Sequence, residues 1–118
     1  MKGAILRRSS FAFAALVALG LGAGAHANDI PPMDQAMLAD PGRIEAGRAY
    51  WEEQCRHCHG RDAYPGKAPK LAPRRYSPEF VYHRITFGFR GMPAWDGIYS
   101  QEERIDMVAY ILSGEFSP

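Results

Sequence analysis

Both cysteines of this 118-residue chain fall inside one five-residue stretch, Cys55-Arg56-His57-Cys58-His59. Thiols three residues apart cannot tie distant parts of a chain together, so this is not a disulfide-stapled mini-protein. The fold must rest on a hydrophobic core, and the length allows one domain. Hydrophobic residues make up 47% and charged residues 23% of the chain, which fits a globular protein and excludes a disordered or collagen-like one. A formal net charge of +1 gives no ground for a nucleic-acid partner.

The N-terminus reads as an export signal. Lys2, Arg7 and Arg8 form a positive start, and residues 11–25 are drawn only from Phe, Ala, Leu, Val and Gly. Ala25-His26-Ala27 is a small-x-small cleavage site, followed by polar Asn28 and Asp29. An uncleaved anchor is the competing reading. A spanning helix wants ~20 apolar residues, and this run is shorter and glycine-rich. The pattern predicts cleavage after Ala27, a periplasmic location and no stable membrane insertion. Export would also place the thiols where they can be oxidised or covalently modified. So short a mature chain has a thin core, which something extra often supplements.

The rest divides into a flexible lead-in over 28–40 and one domain over 41–118. Pro31-Pro32 blocks regular structure in the lead-in. Asp40 can cap a first helix and Pro41 suits its first turn. Ile44, Gly47, Tyr50, Trp51 and Gln54 lie near one face at helical spacing, and Gly60 can end the helix beyond His59. Gly60, Pro65, Gly66, Pro69 and Pro73 forbid a long element over 60–76. A second helix can begin at Ser77-Pro78 and stop at Gly88. The last opens at Ser100, with Glu103 three residues on as a capping box. It carries Ile105, Val108, Ala109 and Leu112 on one side. No useful strand-like alternation appears, so the class is all-α.

Cys55 and Cys58 lie on the same side of a helical turn. Thiols at that separation can add to the two vinyl groups of a haem, and His59 follows immediately as an iron ligand. The motif is a strong signal for c-type haem attachment. Three other uses of the cysteines fit the sequence less well. A thioredoxin-like pair needs a βαβ setting, which is absent. A structural zinc needs four ligands, and the supply of cysteines and histidines is short. A Cys55–Cys58 disulfide would close a strained short loop. His57, between the cysteines, is expected on the surface.

A sixth ligand must come from the opposite face of the ring. Candidates are Met33, Met37, Met92, Met107 and His83. Met92 has the best setting: Gly91 lets the chain turn and Pro93 forces Met92 into an extended conformation. Met107 falls in the apolar pattern of the last helix and reads as core, and His83 as structural or surface. The expected iron ligands are therefore His59 and Met92.

These pieces resemble a family. Gly47-Arg-Ala-Tyr-Trp51 before Cys55-x-x-Cys-His59-Gly60, then Ala68-Pro-Lys-Leu71, Gly91-Met-Pro-Ala-Trp95 and Glu102-Glu-Arg-Ile-Asp-Met-Val-Ala-Tyr-Ile111 are similar to a small soluble monohaem class I c-type cytochrome over nearly all of 42–113. The resemblance implies a cytochrome c fold, with three main helices and loops wrapped around one covalently attached haem. In it Gly47 allows a close crossing of the first and last helices, and Trp51 packs against Met107 and Tyr110. It also implies that the Pro69 carbonyl accepts a hydrogen bond from His59 and that Leu71 packs on the haem. Trp95 is placed in the same cofactor-binding set.

An iron with both axial positions filled has no place for dioxygen or peroxide. The expected role is that of a non-enzymatic one-electron carrier, between a dehydrogenase or respiratory donor and an oxidase or reductase. The alternatives are a haem subunit held permanently by a partner oxidoreductase, and a haem enzyme or gas sensor with a labile sixth ligand. Charge is unevenly placed. Residues 56–90 hold eight basic residues against Asp62 and Glu79, while the flanking stretches are acidic. Arg56, Arg61, Lys67, Lys70, Arg74 and Arg75 form the basic block near the motif. They can neutralise haem propionates or lie in solvent, or form a docking rim for an acidic redox partner. The chain is expected to be a monomer.

Overall fold

The computed structural model describes residues 30–61 and 66–116. The expected export signal over 1–27, with its cleavage point, lies outside them. The described residues form α1 (Gln35–Leu38), α2 (Pro41–Tyr50), a π-helical turn (Trp51–Cys55), α3 (Arg56–His59), a 3-10 turn (Pro73–Arg75), α4 (Pro78–Phe87) and α5 (Gln101–Leu112). Among them there is no strand, only an isolated bridge between Phe89 and Met92.

Local chemistry sets most of the helix starts. Asp40 accepts from the Arg43 N–H at 2.9 Å, with Pro41 at the first helical position. Ser77 caps α4, with Pro78 in its first turn. At α5 the capping box is complete: Ser100 Oγ accepts from the Glu103 N–H at 3.3 Å, and Glu103 accepts from the Ser100 N–H at 2.7 Å. Gly60 and Gly88 end α3 and α4 with φ of 77° and 69°, a region that favours glycine.

The first long helical run is not uniform. The Arg56 N–H reaches back five residues to the Trp51 carbonyl, so one π-turn joins α2 to α3. The lead-in also differs from the expectation of a loose segment. Asp34 accepts from the Met37 N–H at 2.7 Å, which starts one turn of helix past the two prolines. That turn buries Leu38 and rests on α5.

The core sits where α2 crosses α5. Gly47 lies against the α5 backbone, and a Cβ there would stand 2.0 Å from the Asp106 carbonyl oxygen. Only glycine permits that approach, as the resemblance implied. Trp51, Ile105, Val108, Tyr110 and Phe116 are fully buried, each contributing about 1.5–3 kcal/mol by leaving water. The Trp51 ring meets Tyr110 edge-on at 6.3 Å and Phe116 at 4.6 Å between centroids. Arg43 ties the same crossing from outside, donating at 2.7 Å to both Glu102 and Asp106. The α4 helix packs Val81, Tyr82 and Ile85 into the core beside α5.

Candidate haem-binding site

Cys55 closes the π-turn, and Cys58 and His59 complete α3. Both cysteines are unpaired. Cys55 is half-buried against the core, while Cys58 is exposed. Burial, with the neighbouring Cys58 thiol adding to it, pushes the Cys55 thiol up to about 12. It is therefore a neutral thiol at pH 7, unlike the activated thiolate of a redox pair. Among the described residues no three His, Cys, Asp or Glu side chains gather closely enough to hold a metal ion by themselves.

The His59 ring lies on Trp51, 5.7 Å between centroids and tilted by 36°. Burial lowers its pKa, which favours the neutral ring that ligates metals. Its Nδ1 is buried and has no hydrogen-bond partner among the described residues. The bond expected from His59 to the Pro69 carbonyl is thus not formed, and Pro69 itself is exposed. The reason is how the chain returns to the motif. The Ala68 N–H donates to the Cys58 carbonyl at 2.9 Å, and Gly66 packs so closely that a Cβ would stand 2.5 Å from that oxygen. This seals the end of α3 and leaves Pro69 outside.

The Met92 loop is clamped to the end of α4. The Trp95 N–H donates to the Ile85 and Thr86 carbonyls at 3.1 and 3.2 Å, satisfying groups that the helix end leaves open. Phe89 and Met92 exchange both backbone hydrogen bonds, at 3.1 and 2.9 Å. Gly88 makes room: a Cβ there would stand 2.4 Å from the Met92 carbonyl oxygen. The turn between Phe89 and Met92 differs from expectation. Arg90, not Gly91, takes the left-handed conformation, with φ 54°. A Cβ on Gly91 would meet nothing within 4 Å.

Cys55, Leu71, Met92 and Trp95 are all half-buried against one core. Met33 and Met37 pack on it too, Met107 is fully inside it, and His83 is exposed against Phe87. His57 is exposed, with Nε2 at 3.0 Å from the Glu53 carbonyl. The Trp95 ring continues through Tyr99 at 5.8 Å to Tyr50 at 5.2 Å, whose hydroxyl donates to Glu103 at 3.2 Å. Sequence reasoning missed Gly66, Tyr99 and Phe116, because their roles depend on contacts with distant or returning segments.

The donor set fits a covalently held haem. Two unpaired thiols stand one helical turn apart, and a neutral imidazole beside them has a buried nitrogen without a partner among the described residues. Thioether-bearing and apolar side chains line the same core.

The family model described as "Cytochrome C oxidase, cbb3-type, subunit III" matches residues 42–111. The 4-cresol dehydrogenase (hydroxylating) cytochrome c subunit of Pseudomonas putida is 30% identical over 73 residues, 62% of this chain and 63% of that protein. The chain thus spans under two thirds of the length of that curated relative. The structure of the c-type cytochrome NirC is similar with a TM-score of 0.54 and 27% identity, over 67% of this chain and 99% of that one. Cytochrome c6 from the diatom Phaeodactylum tricornutum shares the fold, with a TM-score of 0.53 and 23% identity over 61% of this chain and 93% of its own.

Proposed function

The chain belongs to the cbb3-type cytochrome c oxidase subunit III family and is a small class I c-type cytochrome, and from that premise we propose that it is a periplasmic one-electron carrier with a single His/Met-ligated haem c. Cys55 and Cys58 would hold the haem through thioether bonds, and His59 and Met92 would take its two axial positions. When bound, the group supplies reversible one-electron chemistry between ferric and ferrous iron.

The observation that carries this reading is the His59 ring, half-buried on Trp51 directly after the two cysteines, with its Nδ1 left without a partner among the described residues. Trp51 fixes the plane of the imidazole, and burial keeps it neutral. Gly88 and the Trp95 N–H hold the Met92 loop against α4, so that the thioether is presented from a stiff turn. Leu71 and Trp95 extend the apolar wall and exclude water. An apolar surround disfavours the extra positive charge of ferric iron, and a thioether is a soft ligand, so both raise the potential. With His59 and Met92 both holding the iron, no place would be left for a bound substrate, and the role would be transfer of electrons rather than catalysis. The basic block over 56–90 supplies a rim for an acidic redox partner, a dehydrogenase, oxidase or reductase.

The spectrum of the holoprotein tests this. A weak band near the red end of the oxidised spectrum reports sulfur bound to iron, and its loss in Met92→Ala assigns the ligand.

One observation favours a second reading, that of a haem subunit held by a partner oxidoreductase: the similar Pseudomonas putida protein is named as a dehydrogenase's cytochrome subunit. Purification from the native source separates the two. A fixed ratio to one enzyme supports the subunit, and a free monomer supports the carrier.

A further inference from the structure

Arginines among the described residues meet two kinds of partner, carboxylates and aromatic rings, and Arg48 meets both. Arg43, Arg48 and Arg56 are each paired with at least one carboxylate of their own chain. Arg84 and Arg90 are not paired with a carboxylate among the described residues. They stack on aromatic rings. The Arg84 guanidinium lies 5.0 Å from the Phe80 ring centre and 3.9 Å from that of Phe89, and Arg90 lies 5.2 Å from the Phe89 ring. Tyr76 extends the row, 5.2 Å from Phe80. Phe80 is 44% and Phe89 49% exposed, far more than large apolar side chains need be. The row runs along one side of α4 and ends at the turn that carries Met92.

From this we propose that the Tyr76–Phe80–Arg84–Phe89–Arg90 ladder is the docking surface for the acidic face of a redox partner protein. It rests on the electron-carrier reading and moves the centre of the rim away from the lysines and arginines nearer the haem motif. Charge complementarity identifies the occupant. The ladder lies within a segment of eight basic and two acidic residues, flanked on both sides by acidic stretches. Stacking spends the faces of the two guanidinium groups and leaves their N–H edges to donate to carboxylates. The exposed phenyl faces supply the apolar centre that a short-lived interface needs. Because Phe89 is bridged to Met92 by two backbone hydrogen bonds, a partner seated here sits against the loop of the proposed sixth ligand.

The test uses the holoprotein, a reduced acidic blue-copper protein as the probe donor, and stopped-flow mixing across ionic strength. Hydroquinone, small and uncharged, is run in parallel. The wild-type rate with the copper protein should fall about tenfold or more from low to high salt. Arg84→Gln with Arg90→Gln should remove most of that dependence, while hydroquinone reduces the variant at the wild-type rate. Phe80→Ala should slow the protein reaction by a similar factor at every salt concentration. A salt dependence that survives in the double arginine variant and disappears in Lys67→Gln/Arg74→Gln/Arg75→Gln overturns the proposal, as does a wild-type rate indifferent to salt. Failure of hydroquinone to reduce the wild type would instead bring down the carrier reading beneath it.

Discussion

Gly88 lies directly beneath the Met92 carbonyl, where a Cβ would come within 2.4 Å of the oxygen, and its φ of 69° is one that L side chains rarely adopt. One residue thus ends α4 and lets the following loop fold back over the helix end. Gly88→Ala should cost about 1–3 kcal/mol from the positive φ with extended ψ alone, and more from the contact. The readout specific to position is the red-end band of the oxidised protein, which should weaken with Met92 displaced. A variant that loses stability and keeps the full band would mean that Gly88 supports the fold without placing the ligand.

Gly47 makes the equivalent contact at the helix crossing. A methyl group there meets the Asp106 backbone at 2.0 Å, and backbone cannot rotate aside as a side chain can. Gly47→Ala should destabilise the holoprotein by about 3 kcal/mol, the upper end for overpacking. Urea unfolding followed by circular dichroism measures it, and a loss under 1 kcal/mol would show that α2 and α5 separate easily.

Much of this architecture was legible because it is local. Asp40, Ser77 and the Ser100–Glu103 pair act on N–H groups within three residues, so the sequence around each carries the whole signal. The motif cysteines and His59 were equally plain. The less visible parts depend on chain returning from elsewhere. Phe116 lies beyond the last helix, and only the folded chain brings its ring onto Trp51. Gly66 reads as one more loop glycine until it meets the Cys58 carbonyl. Propensity alone points to Gly91 for the turn before Met92. The reciprocal hydrogen bonds of Phe89 and Met92 put the first corner on Arg90, whose guanidinium then packs on Phe89. The resemblance placed the Gly47 crossing well and the His59–Pro69 bond badly, since the Ala68–Cys58 bond holds that segment in another position.

Acid should loosen the start of α5. The Ser100 backbone N–H, then its hydroxyl and the Tyr50 hydroxyl, hold the Glu103 carboxyl below its ordinary 4.5. A carboxylate depressed on folding stabilises above its unfolded pKa, and that contribution is lost as pH falls through the folded value. Glu103→Gln should therefore flatten the fall in urea midpoint below pH 4.5 relative to wild type, with little difference in slope above it. Parallel wild-type and variant curves through that range would contradict the assignment.

Covalent attachment has its own signature. Replacing both Cys55 and Cys58 by alanine should abolish haem staining after denaturing gel electrophoresis. Persistence of the stain would place the linkage elsewhere in the chain.

The most direct test is the absorption spectrum of the full chain matured in a host that attaches haem, recorded oxidised and reduced, for wild type and Met92→Ala. The account predicts a coloured wild-type protein with the weak red-end sulfur–iron band when oxidised and no change in the reduced spectrum on adding carbon monoxide. In Met92→Ala the band should be gone, the potential lower and carbon monoxide able to bind. A colourless wild-type protein, or a band that survives removal of the Met92 thioether, would contradict it.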